Sequence, residues 1–184
     1  LLRALSLLTS FYRAMNKRIS VLHIITRLEE GGAPRVLLDL LKGLDRDRFS
    51  QTLAAGPAPE GTELLPEARR LPIGIREIRG LTRPVSPVRD ISALAGLIGL
   101  IRDERFDIIH THTLMGIHKE FFEAAQELDI PVMHTSHDYF GLCAKTNFIN
   151  QDGLLCKNID VCKCVVCNLN AGASSCLTRL LQSE

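Results

Sequence analysis

The chain has 184 residues, 46% of them hydrophobic, with 22 Lys+Arg against 21 Asp+Glu. That is enough apolar material for one sizeable core, and the charge balance excludes a general nucleic-acid binder, whose phosphate contacts demand a basic excess. Aromatics make up only 5% and tryptophan is absent, so platforms for stacking bases or sugars are scarce, and no apolar run approaches the ~20 residues needed to cross a bilayer.

The opening stretch, LLRALSLLTSFYRAMNKR, starts with leucine and reaches methionine only at Met15. A signal peptide fits poorly, because no small-residue cleavage site is evident and a strand pattern follows at once. Two readings stay open. One is an amphipathic membrane-surface helix with Arg3, Arg13, Lys17 and Arg18 at its basic positions. The other is upstream sequence read through before a start at Met15. We treat residues 1–18 as an N-terminal extension. The protein reads as cytoplasmic, peripheral on the inner membrane face if the helix reading holds.

From Ile19 the pattern becomes regular. ISVLHIIT is a near-continuous apolar run, as expected of a strand buried on both faces of a parallel sheet. PRVLLDLLKGL carries Val36, Leu37, Leu40, Leu41 and Leu44 at helical spacing, with Pro34 suited to the first turn. FSQTLAAG reads as a second strand, TELLPEARRL as a proline-broken helix and GIREI as a third strand. LTRPVSPVRD reads as a loop, and ISALAGLIGLIRDE as a helix despite its two glycines. FDIIHTH gives a strand, KEFFEAAQEL a helix with Phe121, Phe122, Ala125 and Leu128 on one face, and PVMHTS a last strand. Alternating strands and helices predict an α/β fold, a doubly wound, mainly parallel Rossmann-like sheet over residues 19–142. Residues 143–184 form a cysteine-rich, loop-rich segment.

In such sheets ligands gather at the carboxyl ends of the strands. Three segments fall on that rim: EEGGA after the first strand, HTHT after Ile108–Ile109, and HDYF after Val132–Met133. Gly31 and Gly32 let backbone amides approach a ligand, and the next helix offers its positive end to an anion. A bare turn is the plainer alternative for a lone Gly-Gly.

VLHIITRLEEGGAPRVLLDLLKGL, then FDIIHTHT, then HTSHDYFGLC, in this order, resembles the amino-terminal domain of glycosyltransferase family 4. The resemblance runs from Ile19 to the end of the chain. It implies the GT-B architecture, two Rossmann-like domains facing across a cleft, and a retaining transfer of sugar from a nucleotide-sugar donor. It further implies a glycan or lipid-linked acceptor of cell-surface polysaccharide biosynthesis, held mainly by this domain. Gly31 and Gly32 match the loop near the donor diphosphate, and His137 matches the histidine that closes the strand near the reacting sugar. Asp138 is expected to orient that loop. His110, His112, Tyr139 and Phe140 are expected on the acceptor side. Two departures stand out: Pro34 replaces the glutamate common after Gly-Gly-Ala, and the donor-binding domain lies outside these 184 residues. The resemblance therefore implies the acceptor-side portion of an enzyme, unable to transfer sugar alone.

All six cysteines follow residue 142. CKNIDVCKCVVC offers Cys156, Cys162, Cys164 and Cys167, with Cys143 as a substitute, and four thiolates satisfy tetrahedral zinc. Free cysteines in a loop are the alternative; disulfides do not suit a cytosolic chain. A structural zinc is therefore expected, a reading strengthened by cysteine-rich relatives that share the arrangement. His23, inside the first strand, reads as a satisfied core or near-rim residue. His118 reads as solvated at a helix start and His134 as packed beside its strand. His110 and His112 point the same way from a strand, which is metal-ligand geometry. HTH with His137-Asp138 therefore leaves a metal-dependent hydrolase as a rival, and a non-catalytic zinc-bearing binding module is a second.

Overall fold

The computed structural model describes residues 18–83, 86–143, 145–150, 152–160, 163, 164 and 167. Five strands make one sheet: β1 (Ile19–Ile25), β2 (Phe49–Ala55), β3 (Gly74–Glu77), β4 (Ile108–Thr111) and β5 (Val132–His134). Their order is β3-β2-β1-β4-β5, and every pairing is parallel, not merely most of them. The chain builds outward from β1 in one direction, returns, and builds outward in the other. The seam between β1 and β4 is therefore the topological switch point, where open α/β sheets place their ligands.

Among the described residues four helices cover the sheet: α1 (Gly32–Gly43), α2 (Leu65–Ala68), α3 (Pro87–Asp103) and α4 (Lys119–Glu127). Side chains alternate along β1, and the two faces differ in company. Leu22 and Ile24 join Leu97, Ile101, Phe121 and Ala125 in the core beneath α3 and α4. Ile25 joins Leu37, Leu38, Leu41 and Leu53 beneath α1 and α2. His23 shares that second face, because strand residues two apart point the same way.

The predicted elements are all present, with shifted bounds. α3 starts at Pro87, inside the stretch read as loop. Proline is well placed in a first helical turn, where its missing N–H costs nothing. Asp90 also closes the start, since its Oδ2 accepts the Ser86 N–H at 3.0 Å while its own N–H reaches Ser86 O at 2.8 Å. The proline-broken helix is a single turn, Leu65–Ala68. β4 is shorter than predicted, although the His112 N–H still reaches Ile24 O at 2.8 Å.

Two features brace the sheet. At the amino end of the seam, the Ser20 N–H donates to Asp107 Oδ2 and the Asp107 N–H to Ser20 O, both at 2.8 Å. At the carboxyl end of β2, a Cβ on Gly56 would stand 1.8 Å from Leu81 O and 2.4 Å from Thr26 O. Only glycine fits there. β5 is exposed along its whole length, with Met133 51% accessible on the face it shares with His110.

Candidate functional site

Strand register gathers the histidines. His23 and His110 are direct partners across the β1–β4 seam, and His112 lies two residues further on the same face. The ring centroids of His110 and His112 are 4.0 Å apart, and those of His23 lie 5.4 and 5.7 Å from them. All three are buried, at 1%, 4% and 3% exposure for His23, His110 and His112. Their potential ligand nitrogens lie within 4.8 Å of one another, the one group of three or more metal-ligating side chains among the described residues.

The cluster is under-bonded. Among the described residues neither ring nitrogen of His23 makes a well-formed hydrogen bond, nor does His112 Nε2 or Gln51 Oε1, although the Gln51 side chain is close enough to His23 to favour its protonated form. His23 is buried in the core as expected from the sequence, but without the well-formed hydrogen bonds of a satisfied histidine. Two of the remaining nitrogens are engaged: His110 Nε2 meets Thr135 Oγ1 at 2.7 Å, and His112 Nδ1 meets His137 Nε2 at 3.3 Å. Burial, added to the neighbouring histidines, disfavours the imidazolium throughout. It lowers His23 to about 4, with His110 adding to the shift and Gln51 opposing it. It lowers His112 to about 3, with His110, His23, His137 and His134 adding to the shift. His110 moves down as well, by burial and then by His134 and His137.

Above the cluster, the chain leaving β5 forms a small pocket. His112 and Thr113 from the β4 end, with Ser136, His137, Asp138 and Phe140, contribute to its lining. The His137 ring stacks on His112 at 5.6 Å and 21°. Asp138 shapes the loop: its Oδ1 accepts the Phe140 N–H at 2.9 Å, and its carbonyl accepts from Ser136 Oγ at 2.7 Å. Phe140 is buried as a wall, whereas Tyr139 is 56% exposed and packs on Phe148 with centroids 4.8 Å apart. His110 is enclosed beneath the pocket. Neither Tyr139 nor His110 lines the pocket with His137, so of the four residues expected on the acceptor side only His112 and Phe140 meet it there.

Gly31 and Gly32 are exposed on the same rim, at the start of α1. Gly31 is extended (φ 164°), and a Cβ there would meet nothing closer than 3.7 Å; one on Gly32 would meet nothing. The fold does not itself require glycine at either position. No side chain caps the helix, and its first turn holds no acidic residue.

His118 stands half-exposed at the N-cap of α4. His134 is exposed, but its Nδ1 contacts the Thr111 hydroxyl at 3.0 Å and carbonyl at 3.1 Å. Cys143, Cys156, Cys164 and Cys167 are half-buried. No three of them draw together among the described residues; Cys162 lies outside those residues, as does the N-terminal segment through Lys17. No helix among the described residues is long and apolar enough to cross a membrane. The member of the histidine cluster that sequence reasoning missed is His23. The HTH spacing points to its two partners, but only the register brings the third.

Comparison with known proteins returns no match among curated sequences. Among solved structures, the chain is similar to the C-terminal domain of a hydrogenase from Pyrococcus furiosus. The identity is 12% and the TM-score 0.46, over 64% of this chain and 90% of that one. The profile of Glycosyltransferase Family 4 matches residues 30–165. That match takes in the Gly31–Gly32 turn, both histidine-bearing rim segments and most of the cysteines, well over half of the sequence. The chain belongs to Glycosyltransferase Family 4.

Proposed function

We propose that this chain is the acceptor-side half of a retaining glycosyltransferase that moves a sugar from a nucleotide-sugar donor to a glycan or lipid-linked acceptor in cell-surface polysaccharide biosynthesis. The observation that carries the reading is His137. It stands in the pocket at the carboxyl end of β5, its Nε2 held 3.3 Å from a buried histidine.

That contact leaves Nδ1 of His137 to meet a donor-sugar hydroxyl or the charge that develops at the reacting carbon. Asp138 holds the backbone turn that sets the ring's position. Phe140 keeps one wall apolar, and the uncapped start of α1 at Gly31 and Gly32 offers N–H groups to a diphosphate. Transfer is completed by a donor-binding domain facing this rim, with the chain on the cytoplasmic side of the membrane. The test is His137→Ala in a chain that also carries that domain. Turnover should fall on the order of 100-fold or more, the scale for a positioned acid–base group, with the circular dichroism spectrum unchanged. Turnover within a few-fold of the parent would make the histidine structural and sink the reading.

A further inference from the structure

We propose that His23, His110 and His112 form a binding site for a divalent transition metal of the zinc class, built across the β1–β4 seam beneath the rim pocket. It stands independently of the sugar-transfer reading.

The first support is geometric. Each ring offers a nitrogen, and the three lie within 4.8 Å of one another. Zinc holds imidazole nitrogens at about 2.0–2.1 Å, which in a tetrahedron places them about 3.4 Å apart. Side-chain rotations that shorten the separations by an ångström or so close the site, and the strands that carry the rings need not move.

The second support is the pattern of unmet hydrogen bonds. Buried polar atoms are ordinarily paired, because leaving one bare costs about 1–3 kcal/mol. Here neither nitrogen of His23 makes a well-formed bond, Gln51 lying near it without satisfying it, and His112 leaves Nε2 bare, inside a single cluster. The nitrogens that are engaged are the ones a ligating histidine gives to its surroundings. His110 Nε2 is taken by Thr135 and His112 Nδ1 by His137, leaving Nδ1 of His110 and Nε2 of His112 for an ion. A ligating imidazole typically binds metal through one nitrogen while its other is fixed by an outer group.

The chemistry of the donor set agrees. Three neutral imidazoles suit Zn(II), Co(II) or Ni(II) rather than Mg(II) or Ca(II), which require oxygen. Burial keeps the rings in the unprotonated form that binds metal. A bound ion would tie β1 to β4 and, through His112 Nδ1, fix the orientation of the His137 ring.

The experiment must separate these nitrogens from the thiols further on. In the full 184-residue chain, Cys156, Cys162, Cys164 and Cys167 are each changed to serine, and Co(II) is titrated by its visible absorption. One equivalent of tetrahedral cobalt is expected, with affinity reduced at least 100-fold by His23→Gln or by His112→Gln. X-ray absorption of the unsubstituted chain loaded with two equivalents of Zn(II), enough to fill this site as well as one formed by the cysteines, gives a second measurement that needs no variant to fold. It should show imidazole scattering from a nitrogen shell. Absence of a tetrahedral cobalt signal in the serine variant, affinity untouched by both glutamine changes, or an all-sulfur zinc shell each overturns the proposal.

Discussion

Acid should unfold this protein through its histidines well before its carboxylates protonate. In the folded state His23 titrates at about 4 and His112 at about 3, whereas in an unfolded chain both return to about 6.5. Between those values the unfolded state binds more protons than the native one, so stability rises with pH through this window and is lost as pH falls. Integrating from pH 7 to pH 5, each histidine contributes a loss of about 2 kcal/mol, or about 4 kcal/mol for the two together. His110, shifted in the same direction, adds to it. Against a typical total of 5–15 kcal/mol that loss is large. The assay is urea unfolding at the two pH values, with chelator present so that no ion occupies the cluster. With a slope of about 2 kcal/mol per molar, the midpoint should fall by about 2 M. A chain with both His23 and His112 replaced by leucine should lose most of this dependence. A midpoint that is flat from pH 7 to pH 5, or one that falls as steeply in the double variant, refutes the reasoning.

Gly56→Ala drives a methyl group into Leu81 O and Thr26 O and should cost about 4 kcal/mol or more, at the exceptional end for a single substitution; a thermal midpoint within a few degrees of the parent would contradict it. Asp107→Ala strips the Ser20 amide of its charged acceptor at the seam and should cost about 1.5–3 kcal/mol by denaturant titration. Asp90→Ala removes the bond from the Ser86 amide that closes the start of α3 and should cost about 1 kcal/mol, measured in the same way. If the cysteines hold zinc as their spacing suggests, Cys162→Ser should lower the zinc content by about one ion per chain while the parallel sheet stays folded.

The architecture was open to reading because hydrophobic spacing is a local property. ISVLHIIT and FDIIHTH declare buried strands, and Leu37 and Leu41 declare the inner face of α1, each within a few residues. The start of α3 was harder to see, because Pro87 signals a loop until the bonding between Ser86 and Asp90 is known. The site was legible only in part. His110 and His112 announce a shared direction by their spacing, and His137 by its place after an apolar run. His23 gives no such signal, since a strand buried on both faces is apolar at nearly every position and hides which residues point together. What aligns it with His110 is the β1–β4 register, a relation between segments that no local pattern encodes. The same blindness applies to Tyr139, whose neighbour Phe148 comes from a loop with no periodicity at all.

The β1–β4 seam also sets an order of events as the chain folds. The unit from β1 to β3 and the unit from β4 to β5 can each pair their strands over short stretches of chain. Joining them requires Ser20 to find Asp107 across 87 residues. Closing a loop about three times longer than one helical crossover costs about 1 kcal/mol more in entropy, and distant pairings slow folding. Docking of the two units is then the late step, and the three histidines meet only when it is complete. A backbone cut between β3 and α3 would leave two pieces that must recognise each other along that seam and through the packing of α3 and α4 on β1, so their reassembly would depend on concentration where the intact chain's does not.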